Sequence, residues 1–110
     1  MTALLVALGA AAGAPLRYLL ARLDGVFPRG MLLVNTLGSV AFGLFAALSL
    51  GEAAWALLGT GLCGGFTSFS SFAVQAVEAP RRVRTAYVLA TTVLAIGGCA
   101  AGWALGAALV

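Results

Sequence analysis

The chain consists of four long apolar stretches separated by three short polar segments. The apolar stretches cover approximately residues 2–21, 30–50, 53–77 and 85–109. Each one is long enough for an α-helix to cross a bilayer, which takes about 20 residues. Within the stretches, glycines recur four residues apart, a spacing that lets helix backbones approach closely: Gly9/Gly13, Gly61/Gly65 and Gly98/Gly102/Gly106. The pattern predicts one all-α membrane domain, residues 1–110, with four transmembrane helices.

A cleaved signal peptide is the alternative interpretation of the first stretch, which is rich in alanine. No positive charge precedes it, and the rest of the chain is equally hydrophobic, so we interpret it as the first span. Charged residues make up 8% of the chain, whereas soluble domains contain about 25%. With no histidine and three acidic residues, the chain offers no acid–base pair typical of an enzyme. Its six arginines form no basic face for nucleic acid.

The third apolar stretch is interrupted in its middle by glycines and hydroxyl residues, Gly64-Gly65-Phe66-Thr67-Ser68-Phe69-Ser70-Ser71-Phe72. Non-helical backbone at this depth is tolerated only where it is buried in protein or lines a cavity. One interpretation is a simple kink whose hydroxyls bond back to the preceding turn. The other is a broken helix whose freed carbonyls hold a desolvated alkali cation. A third helix broken in mid-membrane is therefore predicted.

Two polar side chains lie within the first two spans. Arg17 is either an arginine that extends to the membrane interface or a positive charge in a water-filled entrance that attracts anions. Asn35 shares a helix face with Gly38 and Ser39. It either forms a hydrogen bond between helices or presents an N–H donor to an ion path.

Two pairs of residues follow helical spacing in the second half of the chain. Phe69 and Phe72 either pack as ordinary core residues or present their positive ring edges to an anion. Tyr87 and Thr91 present two hydroxyls on one face, although Tyr87 could also anchor the helix at the membrane interface. Most of these groups are hydrogen-bond donors, and no acid is deeply buried. Such a lining suits a small, strongly hydrated anion rather than a cation.

The arginines are distributed unequally between the two sides of the membrane. The loops after the first and third spans share one side and carry five arginines, Arg22, Arg29, Arg81, Arg82 and Arg84. The other side, with both termini, carries none. The positive-inside rule therefore predicts that both arginine loops are cytoplasmic and that both termini lie outside.

Three ordered motifs resemble those of the Fluc (CrcB) fluoride channel family over essentially the whole chain. They are Gly13-Ala14-Pro15-Leu16-Arg17-Tyr18, the segment from Gly30 to Ser39 around Asn35, and the interruption from Gly64 to Phe72. The resemblance implies an antiparallel dimer of four-helix subunits in a prokaryotic cell membrane, with two fluoride pores along the subunit interface. It also implies a structural sodium ion at the centre of the dimer, which is not transported.

The resemblance further implies roles for individual residues. The backbone carbonyls of Gly64 and Thr67 would bind the sodium ion, together with the same carbonyls of the second subunit. Arg17 would lie in the vestibule. The fluoride path would be lined by Asn35, Phe69, Phe72, Ser70, Ser71, Tyr87 and Thr91.

Two residues depart from the pattern of the family that the chain resembles. Met31 stands where Thr is frequent, and Gln75 stands where Glu is expected. Gln75 retains hydrogen-bonding capacity but carries no charge, which leaves open a non-conducting subunit that pairs with an intact one. A small multidrug exporter also has four spans, but it would need a buried acid in the first span, and none is present.

The unequal arginine distribution bears on the partner as well. An antiparallel homodimer needs one sequence that inserts in both directions and hence nearly balanced loop charge. The five-to-none distribution therefore favours a fixed orientation and an oppositely oriented paralogue as the second subunit. A homodimer remains the alternative.

Overall fold

The computed structural model describes residues 1–110, and it is entirely helical. Four of its segments are long and apolar enough to cross a membrane: Thr2–Ala21, Arg29–Ala47, Glu52–Glu78 and Arg81–Leu109. The elements in chain order are α1 (Thr2–Ala21), α2 (Arg29–Ala47), α3 (Glu52–Trp55), a π-helical segment (Ala56–Cys63), α4 (Gly64–Phe66), α5 (Phe69–Glu78) and α6 (Arg81–Leu109). The predicted all-helical, four-span fold is confirmed.

Some helix ends differ from the predicted ones, for local reasons. Helix α2 ends at Ala47 rather than near residue 50, and Ser49 beyond it adopts a left-handed conformation with φ of 53°. Helix α6 begins at Arg81 rather than near residue 85, directly after Pro80. Proline suits a helix start because its fixed φ matches the helix and its missing N–H would have no partner there. The arginines of the third loop thus form the first turn of α6.

Glycines bring the helices together in two pairs: α1 lies against the π-helical segment, and α2 lies against α6. A Cβ atom on Gly9 would collide with the backbone of Leu57 and Leu62, and one on Gly102 would collide with the backbone of Val40. Such close approach maximises dispersion contacts, which replace the hydrophobic effect as the main attraction between helices in lipid. Glycine spacing thus determines which helices pair.

The molecule is a thin plate, with extents of 43 × 30 × 17 Å. Only 20 of its 110 residues are buried. Large apolar side chains such as Leu89, Val93 and Ile96 remain more than half exposed. This surface requires lipid or a second protein to cover it, because water would not stabilise it.

Candidate functional site

The third span is broken at Thr67 and Ser68. Both residues are extended, with φ and ψ of −85° and 159° for Thr67 and −152° and 110° for Ser68. Helix α4 ends immediately before them at Phe66, and α5 begins immediately after them at Phe69. The predicted interruption of the third helix is confirmed, and it extends over two residues.

Asn35 of α2 holds the broken segment by both ends of its amide. The backbone N–H of Ser68 donates to Asn35 Oδ1 over 2.9 Å, and Asn35 Nδ2 donates to the Ser68 carbonyl over 3.2 Å. Both groups are buried, and Asn35 is 8% exposed. One side chain therefore satisfies the backbone N–H of Ser68 and gives its carbonyl a second donor, since that carbonyl also accepts from the Phe72 N–H over 3.4 Å. The second N–H of the Asn35 amide is left for another acceptor.

These bonds release two carbonyls from the helix. In a continuous α-helix, Ser68 N–H would donate to the Gly64 carbonyl and Ser71 N–H to the Thr67 carbonyl. Here Ser68 N–H donates to Asn35, and Ser71 N–H donates to Ser68 Oγ over 3.1 Å, which caps α5. Thr67 Oγ1 also donates back to the Cys63 carbonyl over 2.8 Å. The structure thus combines a helix break with the back-bonded hydroxyl of the kink interpretation.

Arg17 lies beside the break. Its Nη1 is 3.4 Å from the Thr67 carbonyl oxygen, to which it donates, and the side chain is half-buried. A carbonyl oxygen has two lone pairs, so this bond leaves Thr67 one further acceptor site. The guanidinium therefore lies next to the broken segment.

A groove of about 720 Å³ opens at the break between the second, third and fourth spans. Its floor is mostly apolar with a few polar groups, which is typical of ligand sites. The predicted site residues that line it are Asn35, Gly64, Thr67, Phe69, Phe72 and Thr91. Phe69 is 80% exposed, so it does not serve as a core residue of this chain. Thr91 Oγ1 is buried without a hydrogen-bond partner.

Four other predicted site residues do not line this groove: Arg17, Ser70, Ser71 and Tyr87. Tyr87 is fully buried, and its hydroxyl donates to Gln75 Oε1 over 3.3 Å. Its hydroxyl is therefore engaged by α5, and its role along the fluoride path stays a prediction.

Sequence reasoning missed the role of Asp24 in the first loop. Gln75 Nε2 donates to Asp24 Oδ2 over 2.8 Å, and the backbone N–H of Met31 donates to Asp24 Oδ1 over 3.0 Å. Arg84 was assigned only to the loop charge, yet its guanidinium donates to the carbonyls of Ala76 and Val77, each over 2.8 Å. The helix C-terminus favours such a cation, which was the available signal for Arg84. No signal links Asp24 with Gln75, because they are far apart in the sequence.

Taken together, the fold and the site define a small four-span membrane protein with a helix break that opens on a largely apolar groove. Residues 4–107 match the family described as "CrcB-like protein, Camphor Resistance (CrcB)". The chain belongs to this family.

Three curated relatives illustrate the match. The chain is 48% identical to "Fluoride-specific ion channel FluC 2" of Rhodococcus jostii, with 94% of each chain covered. It is 43% identical to "Fluoride-specific ion channel FluC 1" of the same organism, with 83% of this chain and 73% of the relative covered. It is also 43% identical to "Fluoride-specific ion channel FluC 1" of Frankia casuarinae, with 99% of this chain and 95% of the relative covered. The names of these relatives describe ion channels and not enzymes.

Proposed function

We propose that this chain is a subunit of a fluoride-specific ion channel that releases cytoplasmic fluoride passively. The observation that carries the proposal is the groove at the helix break, in a chain whose relatives are named as fluoride channels. The groove combines Asn35 and Thr91, which carry hydrogen-bond donors, with the rings of Phe69 and Phe72. No acidic residue lines it. Such a surface attracts an anion, and no arginine side chain lines it that would retain the anion.

The driving force needs no energy input from the protein. Fluoride enters cells as the neutral acid and is trapped as the anion at the higher pH of the cytoplasm. A negative-inside potential expels an anion with about 2.3 kcal/mol per charge for every 100 mV. The task of the protein is therefore to replace the hydration of fluoride while excluding larger anions.

Four groups of this chain can replace water around a small anion. Asn35 has an N–H that is not used in the bonds to Ser68, and Thr91 has a buried hydroxyl without a protein partner. The edges of aromatic rings carry partial positive charge, and the ring centroids of Phe69 and Phe72 lie 5.8 Å apart. An anion that moves along these rings meets weak, successive attractions, which permit release as well as entry.

A structural sodium ion fits the broken segment chemically. The carbonyls of Gly64 and Thr67, both deprived of their helical N–H donors, are hard oxygen ligands of the kind that alkali cations accept. A single chain contributes these two, and a second subunit of the same design would contribute two more. The ion would supply a second positive charge near the Thr67 carbonyl, which already accepts from Arg17. Replacement of sodium by a large organic cation during purification should dissociate the subunits in size-exclusion chromatography.

The second subunit in our proposal is an oppositely oriented four-helix chain. The groove is open on one side of a plate only 17 Å thick, and pairing would close it to a pore in the bilayer. Five loop arginines on one side against none on the other favour a fixed orientation, with both termini outside the cell membrane, and hence a paralogue as the partner. Rhodococcus jostii has two relatives, numbered 1 and 2, which supports a paired arrangement. Labelling of cysteines introduced in the loops tests this, since equal labelling from both sides would support a homodimer instead.

Fluoride efflux from liposomes tests the proposed activity. The chain is reconstituted alone and with an oppositely oriented paralogue, and efflux is followed with a fluoride electrode, with chloride as the comparison anion. Fluoride-selective efflux that falls in Asn35→Asp and in Phe69→Ile supports the proposal. Efflux that requires the paralogue and is insensitive to both substitutions in this chain would identify a non-conducting partner subunit. No fluoride efflux in either preparation would contradict the proposal.

A further inference from the structure

A chain of hydrogen bonds connects the first loop with three spans at one end of α5. Asp24 in the loop accepts from Met31 N–H of α2 over 3.0 Å and from Gln75 Nε2 of α5 over 2.8 Å. Gln75 Oε1 in turn accepts from the Tyr87 hydroxyl of α6 over 3.3 Å. We call these three side chains, Asp24, Gln75 and Tyr87, the Asp24 clasp.

The chemistry of each group determines the direction of each bond in the clasp. Both oxygens of Asp24 act as acceptors, so Gln75 must present its N–H to Asp24. The Gln75 carbonyl then faces Tyr87 and accepts the hydroxyl proton. Gly30 gives the carboxylate room, since a Cβ there would lie 3.0 Å from Asp24 Oδ1. A carboxylate at position 75 would instead place two negative charges at hydrogen-bond distance.

The clasp reaches the groove through the ring of Tyr87. This ring is fully buried between Phe27, at 5.7 Å with an edge-on geometry, and Phe72, at 5.3 Å between centroids. Phe72 lines the groove and Tyr87 does not. A Tyr87 ring that loses its hydroxyl partner can tilt, and the side of Phe72 that it supports moves with it.

We infer that Asp24 and Gln75 are a positioning pair that fixes Tyr87 and thereby the Phe72 ring in the groove. The pair acts from outside the groove, and it assigns a role to the first loop. The inference rests on the proposed function, because its main readout is fluoride conduction. It explains how glutamine serves this position, as an amide that can both donate to a carboxylate and accept from a phenol.

An exchange of the two side-chain types tests the pair. Gln75→Glu places two carboxylates together, whereas the double variant Asp24→Asn, Gln75→Glu restores a donor opposite each acceptor and keeps all three bonds. Fluoride currents are recorded in planar bilayers, where the neutral acid contributes no current, together with Asp24→Asn alone. Glu78→Gln is the control, since this exposed residue changes the charge at the same helix end without joining the clasp.

We expect the Gln75→Glu current to be about tenfold lower near pH 8 than near pH 5.5, because the two carboxylates repel each other until they share a proton. The wild-type, double-variant and Glu78→Gln currents should not show this rise. The other groups around position 75 are the Tyr87 hydroxyl on α6 and Met31 N–H on α2, while Arg84 is engaged with the backbone of Ala76 and Val77.

Two results would overturn the inference. One is a Gln75→Glu current that equals that of the wild type at both pH values, and the other is a double variant that conducts, or accumulates as folded protein, no better than Gln75→Glu. Melting temperatures in detergent of the wild type, Asp24→Asn, Gln75→Glu and the double variant give a double-mutant cycle that does not depend on fluoride. A wild-type chain that conducts no fluoride would contradict the proposed function, whereas an absence of coupling between positions 24 and 75 in melting would contradict the pair itself.

Discussion

The two halves of the third span are held by different kinds of contact. The first half, which ends at Phe66, packs against α1 through glycines: a Cβ atom on Gly65 would lie 2.7 Å from the Cα atom of Ala10. The second half, α5, is held by side-chain hydrogen bonds from Gln75 and Arg84 to loops and neighbouring backbone. The first kind of contact leaves no room for an added side-chain atom, because backbone lies against backbone. The second can be altered one group at a time.

The two kinds of contact should respond differently to substitution. Dispersion contacts along a glycine seam are individually small, but all of them are lost when the helices are forced apart. Each side-chain hydrogen bond contributes about 1 kcal/mol, and its loss leaves the remaining contacts in place. We therefore expect substitutions in the first half to unfold the chain, and substitutions in the second half to change conduction at a smaller cost in stability.

The largest effect is expected from Gly9→Ala, which places a Cβ atom against the backbone of the π-helical segment. Neither backbone can move away, so the free energy of unfolding should fall by about 3 kcal/mol, the upper part of the overpacking range. Gly97→Ala is the matched control, because a Cβ there meets nothing within 4 Å. Thermal unfolding in detergent measures both. Equal melting temperatures for the two variants would contradict the tight packing of the first half against α1.

The second largest effect is expected at Asn35, which holds the broken segment between the two halves of the third span. Asn35→Leu keeps the approximate volume but leaves the buried Ser68 N–H unpaired and removes one of the two donors to the Ser68 carbonyl, at a cost of about 2 kcal/mol. Fluoride efflux should fall sharply, because the broken segment loses its anchor. Ser39→Ala, which also changes a residue lining the groove, should leave the melting temperature nearly unchanged. An Asn35→Leu protein with wild-type efflux would show that the amide anchors nothing.

A smaller effect is expected from Arg84→Gln, which removes the cation at the C-terminus of α5. The bonds to the Ala76 and Val77 carbonyls are partly exposed, so their loss should cost only about 1 kcal/mol. Arg82→Gln removes the same charge from the same turn, and it therefore controls for membrane orientation. The difference between the melting temperatures of the two variants measures how much the Arg84 hydrogen bonds stabilise the protein. A difference of zero would show that these bonds do not stabilise α5.

The smallest change in stability is expected from two threonine variants, each of which removes a buried hydroxyl without a partner. Thr91→Val and Thr36→Val should shift the free energy of unfolding by no more than about 0.5 kcal/mol, since no protein hydrogen bond is lost. Only Thr91 lines the groove at the break. Efflux should therefore fall in Thr91→Val and remain unchanged in Thr36→Val. Equal efflux in the two would assign the Thr91 hydroxyl no part in conduction.

The sequence contained enough information for the spans and for the break, because both depend on local composition. Apolar length determines a span, and glycines followed by hydroxyl residues weaken a helix at Thr67 and Ser68. The π-helical segment was not predicted, since its apolar residues would also suit an ordinary α-helix and only the packing against α1 distinguishes the two. The bonds of Asn35 were foreseen as a possibility, but their partner was not.

Long-range polar contacts account for the rest of what was missed. Helical spacing placed Tyr87 and Thr91 on one face, yet it could not indicate that the Tyr87 hydroxyl would donate to Gln75. The Asp24–Gln75 contact joins a loop to a distant helix, and no periodic pattern encodes such a meeting. The sodium ligands and the residue roles along the fluoride path stay predictions.

The π-helical segment from Ala56 to Cys63 gives the chain a tolerance for length. Each π-type bond closes over one residue more than an α-type bond, so the segment stores surplus residues without displacing its ends. Removal of one residue there can be absorbed by rewinding to the ordinary pitch. Removal of one residue from α2 before Asn35 would instead rotate that side chain by about 100° away from Ser68. Deletion of one residue should therefore disturb the fold less in the third span than in the second.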